Sequence, residues 1–391
     1  MLNIGIIGAK RGLVLAELVP YLHQPVQISA IADISEKYLQ DWKEKYPDIS
    51  LYTDENSLFE DSTVDIIYIA TPINFHVGQS VKALKAGKHV LCEVPACTSI
   101  EEGQELINTV HKTGLTYMMA ENYCFIPQNM LIGDLCNRGE FGDIVYVKSS
   151  YIHDCKALFF NKKGERLTWR GEMKRYSGGH DYPTHSIGPV AQWLNICREN
   201  GDSFKRITTF GSSQKSWSGY IKKRFGTNHV YAKENYFPLN DGIFTIIETE
   251  KGIIIELFYD LYSNRPPNKA DCVLQGTKGS YISGRYDDEE GIIWLNSYSQ
   301  EKDNREYVPL SSLQKCSDNK RNNKIKQLGK HYADYMMLNE FISSIVERRQ
   351  PGISVYDAVA WSSIIPLSKK SILNGNIPIK FPLFEVNKLS G

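Results

Sequence analysis

The chain has 391 residues, of which 42% are hydrophobic and 23% charged, so it is neither a disordered chain, a collagen-like fibre nor a small disulfide scaffold. At roughly 100–200 residues per domain, this length predicts two domains or one large one. The 45 basic and 45 acidic side chains cancel to zero net charge, which argues against a nucleic-acid partner because such proteins hold phosphate with a positive field.

The first 120 residues alternate short apolar runs with amphipathic stretches. Ser35 is expected to cap the second helix, and Ser99 with Glu102 forms a capping box before a later helix. The apolar runs predict strands at 4–7, 26–32, 64–70, 88–92 and 115–119. Because strands that alternate with helices form right-handed parallel units, residues 1–120 predict an α/β Rossmann domain, a doubly wound parallel sheet.

The pattern changes after residue 120 to longer strands that are separated by short turns. Strands are predicted at 144–151, 206–212, 243–250, 253–261 and 272–275, and helices at 127–137, 185–195, 332–347 and 355–373. Residues 121–391 therefore predict an α+β domain for substrate binding and oligomerisation, with a large open, mainly antiparallel sheet flanked by helices. The basic stretch at 315–331 predicts a solvated loop, with an anion or substrate contact as the alternative.

The N-terminus and the cysteines favour a cytoplasmic protein with reduced thiols. The segment that begins at Met1 lacks a basic region followed by a long apolar one, so no secretory signal is expected. No apolar run reaches the roughly 20 residues that a membrane helix needs. No membrane partner is therefore expected. The eight cysteines show no paired metal-ligand spacing, so no metal site is expected either.

A glycine-rich turn lies between the first strand and the first helix, where a dinucleotide pyrophosphate meets backbone amides. Gly8 and Gly12 carry the pattern, but Lys10 stands where glycine is common, so the turn alone does not distinguish a cofactor site from an ordinary tight turn. Asp33 ends the second strand about 20 residues later, where an acidic residue accepts hydrogen bonds from the adenosine ribose. Since a carboxylate there repels a 2′-phosphate, NAD is predicted rather than NADP, with Arg11 as the feature that weakens this preference.

Three further motifs carry a resemblance to a known family. They are Thr-Pro-Ile-Asn-Phe-His at 71–76, Ala-Gly-Lys-His-Val-Leu-Cys-Glu at 86–93, and Pro95. These motifs resemble the Gfo/Idh/MocA oxidoreductases, the relatives of glucose–fructose oxidoreductase and inositol dehydrogenase. In that family the lysine of a Glu-Lys-Pro element contacts the nicotinamide ribose and moves a proton during hydride transfer. Here Val94 takes its place, and because valine carries no proton, ordinary net dehydrogenation is disfavoured.

One branch of that family resembles the chain more closely and over nearly its whole length. Its nicotinamide-dependent glycoside hydrolases, typified by bacterial α-N-acetylgalactosaminidase, have Glu-Val-Pro-Ala where the chain has residues 93–96, and they share Tyr-Pro-Thr-His at 182–185. The chain departs from the branch at Ser186, which is usually Gly, and at Asp181, which is typical of the family's true dehydrogenases. N-acetyl and leaving-group specificity are therefore not carried over.

The resemblance implies a redox-neutral glycosidase. In such enzymes the sugar C3 hydroxyl is oxidised with NAD, the C1 substituent is eliminated after loss of the C2 proton, water adds back and C3 is reduced. His185 is then the acid and base for the C3 hydroxyl, and Tyr182 or Tyr151 assists proton transfer at C2. His153 and Asp154 are expected to orient the substrate. A purely structural role is the alternative for His185 and, above all, for Tyr151, because tyrosines are common in strands.

The remaining assignments concern the cofactor. Asn74 and His76 are expected to border the nicotinamide ribose, with a solvent-facing helix start as the alternative for His76. Trp169 and Arg170 are expected to reach the cofactor or a substrate oxygen, with a surface aromatic–arginine pair as the alternative, and Pro95 is expected to follow a cis bond. The residues assigned to the cofactor are Gly8, Lys10, Arg11, Gly12, Asp33, Thr71, Pro72, Asn74, His76, Glu93, Val94, Pro95, Asn122, Trp169 and Arg170, and Asp181 joins His153 and Asp154 at the substrate.

Two other hypotheses stay open at this point. Asp181 favours a net NAD-dependent sugar or polyol dehydrogenase, and Lys10 favours a non-catalytic nucleotide-binding regulator. For both the glycosidase and the dehydrogenase hypotheses, the partner is a small carbohydrate. The open sheet of the second domain leaves a face to cover, and relatives often dimerise there, so a homo-oligomer is expected, either a dimer or a tetramer.

Overall fold

The computed structural model describes residues 1–161, 163–266, 268–286, 289–298, 306–314 and 328–384. Its described residues form two compact units. Unit 1 comprises residues 1–127, 328–363 and 382–384, and unit 2 comprises residues 128–314, with the gaps given above, and Ile364–Phe381. Most of the basic stretch at 315–331 lies outside the described residues.

The regular elements cover both units. The strands are β1 (Leu2–Ile7), β2 (Val26–Ala32), β3 (Ser50–Tyr52), β4 (Ile66–Ile69), β5 (His89–Cys92), β6 (Tyr117–Met119), β7 (Ile144–Ile152), β8 (Phe204–Gly211), β9 (Gly242–Thr249), β10 (Ile254–Asp260), β11 (Asn268–Gly276), β12 (Gly279–Ile282), β13 (Ile292–Leu295), β14 (Val308–Pro309) and β15 (Ile379–Lys380). The helices are α1 (Ala9–Leu18), α2 (Glu36–Lys45), α3 (Glu55–Glu60), α4 (His76–Lys85), α5 (Ile100–Thr113), α6 (Pro127–Asn137), α7 (Trp169–Met173), α8 (Thr184–Trp193), α9 (Ser216–Phe225), α10 (Ser311–Gln314), α11 (Tyr332–Val346), α12 (Val355–Ser362) and α13 (Ile364–Leu373).

Unit 1 contains the doubly wound sheet that the sequence predicts. Its six strands run in the order β3-β2-β1-β4-β5-β6, and all neighbours are parallel. This is the strand order of dinucleotide-binding Rossmann folds. All four residues of β4 are buried, as expected of a strand that is covered on both faces.

Local signals explain where the helices of unit 1 begin. The capping box of Ser99 and Glu102 is confirmed at the start of α5. The predicted cap at Ser35 is wrong, because its hydroxyl makes no capping bond and its amide instead donates to the Asp33 carboxylate. The short elements β3 and α3 were not predicted, although Asp54 accepts from the amide of Ser57 and caps α3 as an N-cap aspartate should.

Two helices from the C-terminal part of the chain belong to unit 1. α11 packs on α1, and α12 packs on α5 and β6. Unit 1 therefore includes a segment that lies beyond the sequence-based division at residue 120. The single helix predicted over 355–373 is wrong, because α12 ends before Ser363 and a new helix, α13, follows in unit 2. Pro366 has no amide to continue the hydrogen-bond ladder of α12 across this point.

Unit 2 is built on a nine-stranded sheet in the order β14-β13-β12-β11-β7-β10-β9-β8-β15. The predicted antiparallel character holds for every neighbouring pair except β7 and β10, which are parallel and place Tyr151 opposite Tyr259. A parallel pair needs a long connection between its strands. Here the connection from β7 to β10 contains α7, α8, β8, α9 and β9. On this sheet α8 packs on β7 and β11, and α13 packs on β8.

Within the described ranges, no helix has both the length and the apolar character needed to cross a membrane. The same residues contain no group of three His, Cys, Asp or Glu side chains arranged to hold a metal ion. All seven cysteines of the described part are free thiols, and five of them are buried.

Candidate active site

The glycine turn of unit 1 has no room for side chains at its two key positions. Gly8 has a φ of +103°, and a Cβ there would lie 2.5 Å from the carbonyl oxygen of Ala70. A Cβ at Gly12 would lie 2.4 Å from Cγ2 of Ile6. α1 begins directly after Gly8, and the first amides of a helix have no partner within it. The turn therefore offers a backbone cradle at a helix N-terminus, which is the arrangement that pyrophosphate binding requires.

Asp33 joins the end of β2 to this turn. Its Oδ2 accepts from the amide of Ala9 at 2.8 Å, and its Oδ1 accepts from the amide of Ser35 at 2.8 Å. An ionised carboxylate has about four acceptor positions, so these two bonds leave capacity for a ligand hydroxyl. Lys10, the atypical residue of the turn, is exposed.

Arg11 ties the glycine turn to the segment that follows β5. Its Nε donates to Oε1 of Glu93 at 2.7 Å, and the hydroxyl of Tyr68 donates to the same oxygen. The Glu93 charge raises the pKa of Arg11, and burial together with Glu93 raises the pKa of Tyr68 well above its ordinary value. The guanidinium is thus paired with Glu93 at the surface of unit 1.

The segment after β5 carries the Glu-Val-Pro element. The bond between Val94 and Pro95 is cis, which confirms the expectation for Pro95. Val94 is buried and apolar, so its side chain offers nothing that could move a proton. Asn122, at the end of β6, donates to Oδ1 of Asp334 at 2.8 Å.

His76 is buried, and the solvent-facing alternative for this residue is therefore wrong. Its Nδ1 lies 2.8 Å from the carbonyl oxygen of Pro95, and its Nε2 lies 3.0 Å from that of Thr71. Both ring nitrogens are thereby taken by the protein backbone, so the ring has no donor left for the ribose. Asn74, its companion in the prediction, is exposed. The turn of Thr71 and Pro72 follows β4 at the same edge of the sheet.

Unit 2 brings the three predicted catalytic residues together. Tyr182 and His185, which are three residues apart at the start of α8, have ring centroids 4.9 Å apart at an interplanar angle of 87°. Tyr151 on β7 lies 5.2 Å from the His185 ring and 5.9 Å from the Tyr182 ring. His153 joins the same group, with its ring 6.2 Å from that of Tyr151. Two phenols and two imidazoles therefore meet at one place, which we call the ring cluster.

Asp181 does not offer a free carboxylate to a substrate. It is ion-paired with Lys174, and it also accepts from the hydroxyls of Tyr259 and Ser177. Although burial acts in the opposite direction, the Lys174 charge lowers the pKa of Asp181. Asp181 is therefore the counter-ion of a buried lysine, and its predicted contact with the substrate stays a prediction.

The other substrate residue, Asp154, is exposed and pairs with Lys156, whose Nζ lies 2.8 Å from Oδ1. Trp169 and Arg170 form an exposed pair at the start of α7, with the guanidinium carbon 4.1 Å from the ring centroid. This is the surface aromatic–arginine arrangement that was kept as their alternative.

Two residues that no sequence motif marks support the ring cluster from within unit 2. Lys174 is 5% exposed and lies in a loop with no recognisable motif. Tyr259 stands opposite Tyr151 only because β7 and β10 pair in parallel, and their rings are 6.5 Å apart and nearly parallel. A strand tyrosine and a lone lysine give no signal in one sequence, so they are identified only in the three-dimensional structure.

Two protein-family models match this chain, one over each part of it. Residues 2–121 match the model of the oxidoreductase family with the NAD-binding Rossmann fold, and residues 127–389 match the glycosyl hydrolase 109 C-terminal domain. A glycosyl hydrolase family 109 protein of Solibacter usitatus is 32% identical over 99% of this chain and 89% of its own length. An α-N-acetylgalactosaminidase of Bacteroides fragilis is 30% identical over 98% of this chain and 92% of its own length.

Solved structures support the fold. Levoglucosan dehydrogenase in complex with NADH and L-sorbose superposes with a TM-score of 0.77 at 19% identity, covering 97% of this chain and 99% of the other. Aldose-aldose oxidoreductase from Caulobacter crescentus, complexed with glycerol, has a TM-score of 0.71 at 16% identity over 97% and 99%. At such identities the likeness concerns architecture alone.

Proposed function

We propose that this chain, which belongs to the glycosyl hydrolase 109 family, cleaves a glycoside by a redox-neutral cycle of oxidation, elimination, hydration and reduction. The chain is an enzyme that joins a nicotinamide-binding Rossmann domain to a glycosidase-family C-terminal domain. The observation that carries the proposed cycle is that Tyr151, Tyr182 and His185 meet in the ring cluster, in a chain where Val94 stands at the place of the dehydrogenase lysine. Such a chain retains proton-transfer groups while lacking the one used for net oxidation.

The residues of unit 1 fit the cofactor. The side-chain-free turn at Gly8 and Gly12 would receive the pyrophosphate, and Asp33 would accept from the adenosine ribose. When bound, NAD supplies a hydride acceptor and, once reduced, a hydride donor. The protein must therefore bind and orient the sugar and move its protons.

His185 is proposed to take the proton of the C3 hydroxyl and later to return it. An imidazole changes charge near neutral pH, which suits a group that must act both as base and as acid. The edge-to-face packing of its ring against Tyr182 and Tyr151 fixes the orientation of the imidazole. Both tyrosine rings thereby limit the directions in which His185 can present a nitrogen to the substrate.

Tyr182 is proposed to act at C2. A ketone at C3 acidifies the C2 proton, and removal of that proton expels the C1 substituent. Tyr182 is half-buried, whereas Tyr151 is only 8% exposed, so Tyr182 is the better placed of the two to reach a ligand and Tyr151 is the second candidate. His153 and Asp154 are proposed to hold the sugar hydroxyls.

NAD is proposed in preference to NADP, with tight binding. Arg11 was the one feature that weakened this preference, and its guanidinium is engaged by Glu93. A free arginine is what usually accommodates a 2′-phosphate, whereas the Asp33 carboxylate repels one. We expect NAD to bind at least about tenfold more tightly than NADP, and the Asp33→Ser variant to reduce that ratio. Titration of both dinucleotides against both proteins measures it.

Net dehydrogenation loses the support it had in the sequence. That hypothesis relied on Asp181, which here is engaged by Lys174, Tyr259 and Ser177. The regulator hypothesis relied on Lys10, and the family membership instead makes the chain an enzyme.

Isotope exchange tests the proposed cycle. Purified protein is denatured and its supernatant examined by mass spectrometry for NAD, and the native protein is then assayed without added cofactor on nitrophenyl α-glycosides. The first substrate is the α-N-acetylgalactosaminide, because a Bacteroides fragilis relative bears that activity in its name. In D₂O the released sugar should carry deuterium at C2, since elimination removes that proton. Hydrolysis without exchange at C2, or NADH accumulation with a free sugar, would contradict the proposal.

We further propose a cytoplasmic homo-oligomer. The free thiols support a reducing compartment. The face of the unit 2 sheet opposite Tyr151 carries a cross-strand row of Phe210, Phe244 and Phe258, and Phe210 is 48% exposed. A second copy would cover this row. Light scattering coupled to size-exclusion chromatography should give a dimer or tetramer, and Phe244→Asp should shift it toward the monomer.

A further inference from the structure

His76 links two cofactor-side turns of unit 1 through both of its ring nitrogens. One nitrogen faces the carbonyl oxygen of Pro95 at 2.8 Å, and the other faces that of Thr71 at 3.0 Å. We propose that His76 is held as an imidazolium cation that clamps the turn after β4 to the turn after β5 and so positions both turns for the dinucleotide. The proposal rests on nicotinamide binding by unit 1 and is independent of the reaction that follows.

The two carbonyl partners favour the charged form of the ring over the neutral one. A backbone carbonyl oxygen only accepts hydrogen bonds, and a neutral imidazole has a single N–H. A neutral ring would therefore place one bare nitrogen lone pair against a carbonyl oxygen inside the protein. Two N–H groups satisfy both carbonyls, and bonds from a cationic donor are roughly twice as strong as neutral ones.

The surroundings are consistent with a retained charge. Burial alone would lower the pKa of His76, but Cys92 and the two carbonyls outweigh it and raise the pKa to about 9. Helix capping does not explain the residue, because His76 opens α4 and a cation is unfavourable at a helix N-terminus. The ring is thus held by the carbonyls of the two turns rather than by its own helix.

The two clamped turns lie where a doubly wound sheet binds its ligand. β4 and β5 are parallel neighbours, and Thr71 and Pro95 follow their carboxyl ends. Each turn is also held from its other side, since Thr71 donates to Oε1 of Gln79 and the amide of Ala96 donates to Oγ of Ser362 at 3.0 Å. His76 is the element that joins these two otherwise separate supports.

His89, in the same unit, provides a matched control. Its Nδ1 accepts a hydrogen bond from the amide of Thr116 at 3.0 Å, so that nitrogen must be bare. Burial lowers the pKa of His89. The two histidines are therefore expected to differ in charge within one protein and at one pH.

Nitrogen NMR on full-length protein with ¹⁵N-labelled histidine tests the protonation state directly. At about pH 7 both ring nitrogens of His76 should have the shifts of protonated nitrogen, whereas His89 should show one protonated and one bare nitrogen. The signals are assigned by their loss in His76→Gln and His89→Gln. A bare nitrogen on His76 at this pH would overturn the proposal.

The positioning role has a separate test. The amide group of a glutamine side chain in this place can donate to one of the two carbonyls at most, so we expect His76→Gln to raise the dissociation constant for NAD about tenfold to a hundredfold. His89→Gln should leave it within about twofold. Equal NAD affinity in the two variants would refute the positioning role. Should His76→Gln fail to fold, the His76 ring signals are assigned instead by through-bond correlation to the backbone of residue 76, and the spectrum of the unsubstituted protein then decides whether the clamp is charged. Neither outcome depends on glycosidase activity.

Discussion

The glycine turn of unit 1 and the ring cluster of unit 2 are built in opposite ways. The turn is a contiguous segment whose function lies in its backbone, because Gly8 and Gly12 act through the absence of a side chain. The ring cluster acts only through side chains, and Tyr151 and His185 come from different elements, β7 and α8. Sites of the first kind depend on local conformation, and sites of the second kind depend on packing and on charge. Substitutions at the two sites can therefore separate these dependencies.

The largest effect is expected at the ring cluster. His185→Gln removes the proposed acid and base for the C3 hydroxyl, and general acid–base catalysis contributes about 10²–10⁴-fold. We therefore expect kcat for glycoside release to fall by that range while the NAD content per chain, measured by mass spectrometry, stays unchanged.

His229→Gln is the matched control for that prediction. His229 also belongs to unit 2, but its Nδ1 accepts from the amide of Tyr231 outside the ring cluster. A similar loss in both variants would mean that His185 has no special role, and a loss of NAD in His185→Gln would mean that the two sites are not separable.

The second effect concerns the buried pair that supports the cluster. Lys174→Met leaves the Asp181 carboxylate buried without its cation, and breaking such a pair costs about 3–5 kcal/mol. Replacing both residues by apolar ones, as in Lys174→Met with Asp181→Leu, should recover most of the free energy of unfolding, because no unpaired charge then remains. Urea unfolding of the two single variants and the double variant forms a double-mutant cycle. Additive losses would contradict the assignment of Asp181 as a counter-ion.

A third, smaller effect is expected at the glycine turn. Gly8→Ala places a side chain at a φ of +103° and against the Ala70 carbonyl, so the backbone must move and carry the turn amides with it. A left-handed conformation alone costs about 1–2 kcal/mol for a residue with a Cβ, which corresponds to about 5–30-fold in NAD affinity.

Gly78→Ala is the control for the turn. Gly78 lies on α4 in the same unit, with open space around its missing Cβ. Since alanine is the better helix former, this variant should be as stable as the parent or slightly more so. If Gly8→Ala retained full NAD affinity, the turn would not be the pyrophosphate cradle.

The same contrast explains what a single sequence can predict. The parallel strands, the capping box at Ser99 and the glycine turn are local patterns, and the structure contains all three. Tyr182 and His185 belong to one four-residue motif in the sequence, and their rings meet in the structure. The ion pair of Asp181 was not predicted for a physical reason: the buried lysine that engages it has no sequence signature.

One helix boundary and one strand pairing could not be predicted from the sequence. The helix pattern over 355–373 continues smoothly through the point where α12 ends, because apolar spacing does not record that one helix packs in unit 1 and the next in unit 2. The parallel pairing of β7 and β10 was likewise unpredicted, since the turn between β9 and β10 indicates only antiparallel neighbours. Long-range pairing is set by the whole sheet rather than by any segment of it.

The smallest effect is a pH dependence confined to unit 2. His180 is fully buried against Tyr259, with ring centroids 4.5 Å apart, and burial lowers its pKa from 6.5 to about 3. Because the unfolded chain binds this proton more readily, the free energy of unfolding should fall as the pH drops below about 6.5. His180→Phe should flatten that acid limb and change little near pH 7, where the native ring is neutral. Urea unfolding of the parent and of the variant at about pH 7 and about pH 5 measures both effects. The pKa of Asp181 is also lowered, but protonation of this carboxylate reduces the free energy of unfolding only at still lower pH. If His180→Phe had the same pH dependence as the parent, another group would be responsible.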